Sequence, residues 1–178
     1  WLSQTHEAIG RFAGPLPFDV HVHLEHHSRG GEPVPWANTW RAGEQSIFFY
    51  VDTSYSLDEF LADWTAPHEF SHLYLPYLGR ENSWVAEGFA SYLQHTIMVE
   101  MGVIDEPEAR KRRDRKMRAA MEVLDTQELP LPDSMASLRS QRRYSVFYWG
   151  GAVYWERVDA RLQSEGSSLQ TVLSGYLD

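Results

Sequence analysis

The chain is expected to fold as an α+β domain, with a small sheet from its first third packed on a mainly helical remainder. Three observations predict this. Apolar residues alternate with polar ones from Phe18 to Leu24, and Ile47 to Val51 form an apolar run rich in aromatic and β-branched residues, both marks of strands. Beyond residue 56 the period changes, with Phe89, Leu93, Ile97 and Met101 recurring at the spacing of one helix face. Finally, 178 residues with 43% hydrophobic and 13% aromatic content suffice for one core, so residues 1–178 read as a single domain. Residues 1–55 are mostly β and loop, and 56–178 mostly α.

Charge and composition remove several classes of function. A net charge of −9 argues against nucleic acid as a partner. There is no cysteine, which excludes disulfides and thiolate metal sites together, so any metal must be held by histidine and carboxylate. No run of eighteen apolar residues is present, so no membrane span is expected, and the opening W-L-S-Q-T-H-E is not a signal peptide. Starting on Trp1 suggests a processed or excised piece of a longer chain. The compartment stays open, with periplasmic or secreted placed ahead of cytoplasmic, and the oligomeric state is unknown.

Residues 1–13 read as helix or coil. The alternation from Phe18 to Leu24 predicts a half-buried strand, with Asp19, His21 and His23 on its polar side. His26 and His27 extend these into a histidine cluster, read as solvent-facing or at a cleft rim, with adventitious metal binding as the alternative. Ser28 to Gly43 is a loop by its glycine and proline content, in which Trp36 and Trp40 either cover a pocket or anchor the core. Ile47 to Val51 is the second strand. Ser56 with Glu59 forms a capping box that opens a helix. Pro67 falls within the first turn of a fresh helix, where its missing N–H costs little. Trp84 to Met101 is a long helix. Asp105, Pro107 and Glu108 open the next, which carries R-K-R-R-D-R-K-M-R from Arg110 to Arg118. That run is either a docking patch for an acidic partner or the solvated face of a helix whose Met117, Met121 and Leu124 turn inward. Leu129 to Ser137 reads as a rigid loop. Arg142 to Gly166 is helical after its glycine pair and ends in a C-cap glycine, and Leu169 to Leu177 is a short last helix.

Within this frame one stretch carries chemistry. His68 and His72 stand at i and i+4, one above the other on a helix face, and can bind one ion. Glu69 lies beside that face, placed to take a proton from an attacking water. A third ligand is needed. Glu87 is the best candidate, since the stretch from Leu73 to Ala86 is long enough to end one helix, turn through Pro76 and Gly79 and start another. No histidine occurs between Leu73 and Gln94 to compete with it. Two histidines, a glutamate and an open position make a hydrolytic rather than a structural site. Ser91 and Gln94 follow Glu87 by one and two turns and are read either as supports for a ligand or as ordinary polar residues.

H-E-F-S-H followed by W-V-A-E-G-F-A-S-Y resembles the gluzincin metallopeptidases. Within them the W-V-x-E-G form is most similar to the glycyl-aminopeptidase-type family, with the aminopeptidase N type as a relative, and the match runs over residues 43 to 166. The resemblance implies a thermolysin-like catalytic domain with one Zn²⁺ on His68, His72 and Glu87, cutting peptides or proteins with a metal-activated water and Glu69 as base. It further implies that Ile47 to Val51 is an edge strand at the cleft that pairs with substrate backbone. In these families Y-x-K-G supplies a tyrosine hydroxyl to the tetrahedral intermediate. Tyr148 matches it, with Gly150 in the place of lysine, where a glycine lets the backbone come close to the site; Tyr144 is the rival. A glutamate of G-x-M-E-N holds the substrate amine in the aminopeptidase N type, and Glu44 of A-G-E-Q stands in the corresponding place. Aminopeptidase activity is therefore expected, with an endopeptidase on the same site, or an inactive peptide-binding module, as alternatives. Homologous enzymes continue past the last helix, so a neighbouring domain is expected to be missing.

Overall fold

The computed structural model describes residues 1–28, 31–41 and 43–176. Arg29, Gly30 and Ala42 of the expected loop, and Leu177 of the expected last helix, lie outside the described residues. The architecture is α+β, with eight helices and one three-stranded mixed sheet among the described residues. None of the helices is long and apolar enough to cross a membrane.

The chain opens with helix α1 (Leu2–Ala13), which buries Thr5, Ala8, Ile9 and Ala13 on one face. Three strands follow, β1 (Val20–His26), β2 (Trp36–Trp40) and β3 (Gln45–Val51), in the spatial order β1-β3-β2. β3 lies in the middle, parallel to β1 and antiparallel to β2. Its inward side chains Ile47, Phe49 and Val51 are buried with Ala66, Phe70 and Leu73 in the main core. Burying a side chain of this size typically stabilises the fold by about 1.5–3 kcal/mol.

Three sequence expectations fail in the sheet. The segment assigned to a loop contains β2, and it is β2, not Ile47 to Val51, that forms the edge beside the cleft. W-A-N-T-W alternates aromatic and small residues, with Ala37 and Thr39 turned toward the helices and Trp36, Asn38 and Trp40 turned out. The surrounding glycines and prolines mask that short period. β1, in turn, is not half-buried: Leu24 is 56% exposed. The core reaches Val20 but stops there, and the outer strand runs past the helices that cover β3.

A capping box of Ser56 and Glu59 starts the short α2 (Leu57–Ala62), as expected. Asp63 then accepts the N–H of Thr65 at 2.8 Å and starts α3 (Thr65–Ser71) afresh, with Pro67 in its first turn. Every residue of α3 is buried. It tightens into a single 3-10 turn over His72–Tyr74. After the turn, α4 (Ser83–Glu100) crosses the core with Phe89, Leu93 and Ile97 almost fully buried. α5 (Glu106–Leu124) is capped by Asp105, whose carboxylate accepts from Glu108 N. Met117 is buried, and Met121 and Leu124 pack beside it or against the neighbouring cluster.

Leu131–Ser140 is a helix, α6, rather than a rigid loop. Proline at the first helical position starts a helix instead of breaking it, and Met135 and Leu138, three apart, are buried against Trp84 and Phe147. α7 (Tyr144–Ser164) begins nearly two turns before the glycine pair, and Gly166 with φ 79° follows its end. α8 (Leu169–Tyr176) closes the described chain.

α4 and α7 make the closest helix pair. A Cβ on Gly88 would lie 2.2 Å from the Gly151 carbonyl carbon, and one on Gly151 would lie 2.3 Å from Trp84 O. Only glycine permits this backbone approach. Gly150 does not face the site as expected; it faces Met135 and Leu124 on the other side of α7.

Candidate metal centre

Three elements bring His68, His72 and Glu87 together. α3 carries His68, the turn that follows carries His72, and the first turns of α4 carry Glu87. Their ligand atoms lie within 4.8 Å of one another, the one such group of three among the described residues. Glu87 Oε2 is 3.2 Å from His68 Nε2 and 3.5 Å from His72 Nε2. Tetrahedral bonds of 2.0–2.2 Å separate neighbouring ligand atoms by about 3.3 Å, so the two measured separations fit a metal ion held between them.

The electrostatics agree with that geometry. Burial alone would raise the pKa of Glu87, but hydrogen bonds and charge from His68 and His72 outweigh it and hold the carboxyl well below the usual range. Burial pushes His68 the other way, toward the neutral form, and the carboxylates of Glu87 and Glu69 together with Gln94 more than offset it, so its pKa is raised. Gln94 Oε1 lies 3.1 Å from His68 Nδ1. An amide oxygen can only accept, so it places the ring proton on Nδ1 and leaves the Nε2 lone pair for a metal. Trp64 packs edge-on to the same ring at 5.5 Å. Gln94 is thus placed to orient the His68 ring. Ser91 is buried, and among the described residues no hydrogen bond joins it to His68, His72 or Glu87.

Glu69 is nearly buried and lines the same cleft. Thr39, from the edge strand, donates its hydroxyl to Glu69 Oε2 at 2.7 Å and lies 2.9 Å from Glu69 O. One carboxylate oxygen is therefore held in place by Thr39. Sequence reasoning missed Thr39, because it lies in the strand that was read as loop; the small inward residues of W-A-N-T-W are the signal that could have found it.

The cleft has a volume of about 670 Å³ and is walled by β2, α3 and the start of α4. Trp36 and Trp40 stand at the outer rim of the cleft and are half-exposed, so neither anchors the core; Trp36 packs on Tyr50 at 5.0 Å. Tyr148, on α7, reaches the cleft with its ring 5.9 Å from that of His68. Burial raises its pKa, and the charges of Glu87 and Glu69 raise it further, so its hydroxyl stays protonated as a donor. Tyr144 is half-exposed and is not part of the cleft wall.

Glu44 is not brought to this site. Its side chain is 83% exposed at the start of β3, 3.9 Å from His21 Nε2. The histidine cluster is likewise on the surface, with His23 stacked flat on Phe48 at 4.4 Å.

No protein-family model matches the chain, and comparison with curated protein sequences finds no significant match.

Proposed function

We propose that this chain is a zinc-dependent peptide hydrolase of the gluzincin kind. The observation that carries the reading is the convergence of His68, His72 and Glu87 in a cleft where Glu69 is aimed by Thr39. His68, His72 and Glu87 would hold the ion. Bound there, zinc supplies Lewis acidity toward the peptide carbonyl and makes water acidic enough to attack at neutral pH. Glu69 takes the proton of the attacking water and delivers it to the leaving amine. Tyr148 donates its hydroxyl proton in a hydrogen bond to the oxygen of the tetrahedral intermediate. β2 lies at the edge of the sheet beside the cleft and offers backbone groups along which an extended peptide can lie.

Aminopeptidase action is the reading we carry forward from the motif. A second reading, endopeptidase, is favoured by one observation, the exposed position of Glu44 outside the cleft. Glu69→Gln tests the chemistry: bound zinc should stay at one ion per chain while turnover falls by about a thousandfold or more, in the range seen when essential catalytic groups are removed. Near-normal turnover in that variant would sink the proposal. Paired peptides with free and acetylated N-termini separate the two readings, since an aminopeptidase cuts only the free form.

A further inference from the structure

A second cavity, of about 440 Å³, lies among α4, α5 and α7. It shares Trp64 and Tyr148 with the metal cleft, and Gln94, which holds His68, is part of its wall. The wall from α5 is cationic. Lys111, Arg112, Arg115 and Lys116 line it, and Glu108 is the one carboxylate among the lining residues. Glu108 is already engaged by Arg112 at 2.8 Å and Lys111 at 3.6 Å. Arg115 and Lys116 form no ion pair among the described residues. Four cations converging on one concavity in a chain of net charge −9 run against the average field of the molecule.

The opposite wall supplies an independent observation. His95, on α4, is 5% exposed, and its Nδ1 has no hydrogen-bond partner among the described residues. Its ring stacks on Trp149 at 5.6 Å and borders the cavity. Burial, followed by the charges of Arg112, Arg113 and Lys116, lowers its pKa to about 4, so the ring is neutral at pH 7 and offers one N–H donor. A buried polar side chain left without a partner is costly, and a concave site of cations facing an imidazole is completed by an anion.

We propose that this cavity binds a small polyvalent oxyanion, either a phosphate or the carboxylates of a small organic acid, through Arg115, Lys116 and the His95 ring. The basic run of α5 is then divided by function. Residues facing α4 form the site, while Arg110 and Arg118, which do not line it, remain solvated charge.

The test is calorimetric titration of the full chain with inorganic phosphate and with succinate, at an ionic strength held constant with chloride. Imidazole proton–nitrogen spectra of His95 are followed in parallel. Saturable binding that shifts the His95 signal is expected, with the tighter of the two anions naming the chemistry. Arg115→Ala/Lys116→Ala should weaken it about tenfold or more, because charge-assisted hydrogen bonds are lost. Arg110→Ala/Arg118→Ala, with the same change in net charge, should leave it within about twofold. Equal losses in both variants, or an unmoved His95 signal, would overturn the site in favour of diffuse surface charge.

Discussion

Tyr148 and Tyr144 stand one helical turn apart on α7, yet only Tyr148 is half-buried in the wall of the cleft that holds His68, Glu69 and Glu87. Tyr148→Phe should therefore lower kcat by about a hundredfold or more, the usual loss for an oxyanion donor. Tyr144→Phe should leave kcat nearly unchanged, as steady-state assays of the two variants can show. Gln94 acts on the other side of His68. Gln94→Leu removes the acceptor at Nδ1 and should weaken zinc binding about 10- to 100-fold, read by competition with a chromogenic chelator. The clustering of His68, His72 and Glu87 was legible in the sequence, because helical spacing puts His68 over His72, and the run into W-V-A-E-G places Glu87 on the next helix. Thr39 was not legible. Its role depends on a tertiary hydrogen bond to Glu69 from thirty residues away in the chain; the alternation of W-A-N-T-W can mark Thr39 as inward-facing but cannot name its partner. Glu44 misled for the converse reason: its place in the sequence matched a motif, but the start of β3 turns it toward His21 and solvent.

At the scale of elements, the helices were the most readable part. Capping residues at Ser56, Asp105 and Gly166 mark true ends, and the apolar period of α4 names its buried face. α6 was missed because two prolines near its start look like loop until one sees them in the first turn. β2 was missed because five residues give too short a period to stand out among glycines and prolines. The helix crossing that positions these elements was not visible, because nothing local joins Gly88 of α4 to Gly151 of α7, and the close backbone approach was assigned to Gly150 instead. Gly151→Ala puts a methyl group into the backbone of α4, where no flexible side chain can yield; it should cost about 3 kcal/mol, at the upper end of overpacking. Gly150→Ala meets the movable ends of Met135 and Leu124. Helix propensity favours alanine by about 1 kcal/mol, so this change should lie within about 1 kcal/mol of neutral. Thermal melts of the two variants make the comparison.

For the whole molecule, His95 sets one term in stability against pH. It faces Arg112, Arg113, Lys116 and Glu108 from α5 and Trp149 from α7. Its pKa falls from the ordinary 6.5 to about 4 on folding, so between those values the unfolded chain binds more protons than the folded one. Stability from this group is then fully present above pH 6.5 and is lost as pH falls toward 4, by at most about 3 kcal/mol. Urea unfolding at pH 7 and pH 4.5 should show a smaller acid loss for His95→Gln than for the parent chain. The contact of Gly88 with Gly151 also bears on how far the site could be transplanted. Glu87 precedes one of these glycines and Tyr148 lies a turn before the other, so a ligand and the hydroxyl donor are set by backbone against backbone. A graft running from α3 through α4 would carry His68, Glu69, His72 and Glu87 but leave Tyr148 and Thr39 behind, so the whole cluster moves only if α7 and β2 move with it as one rigid block.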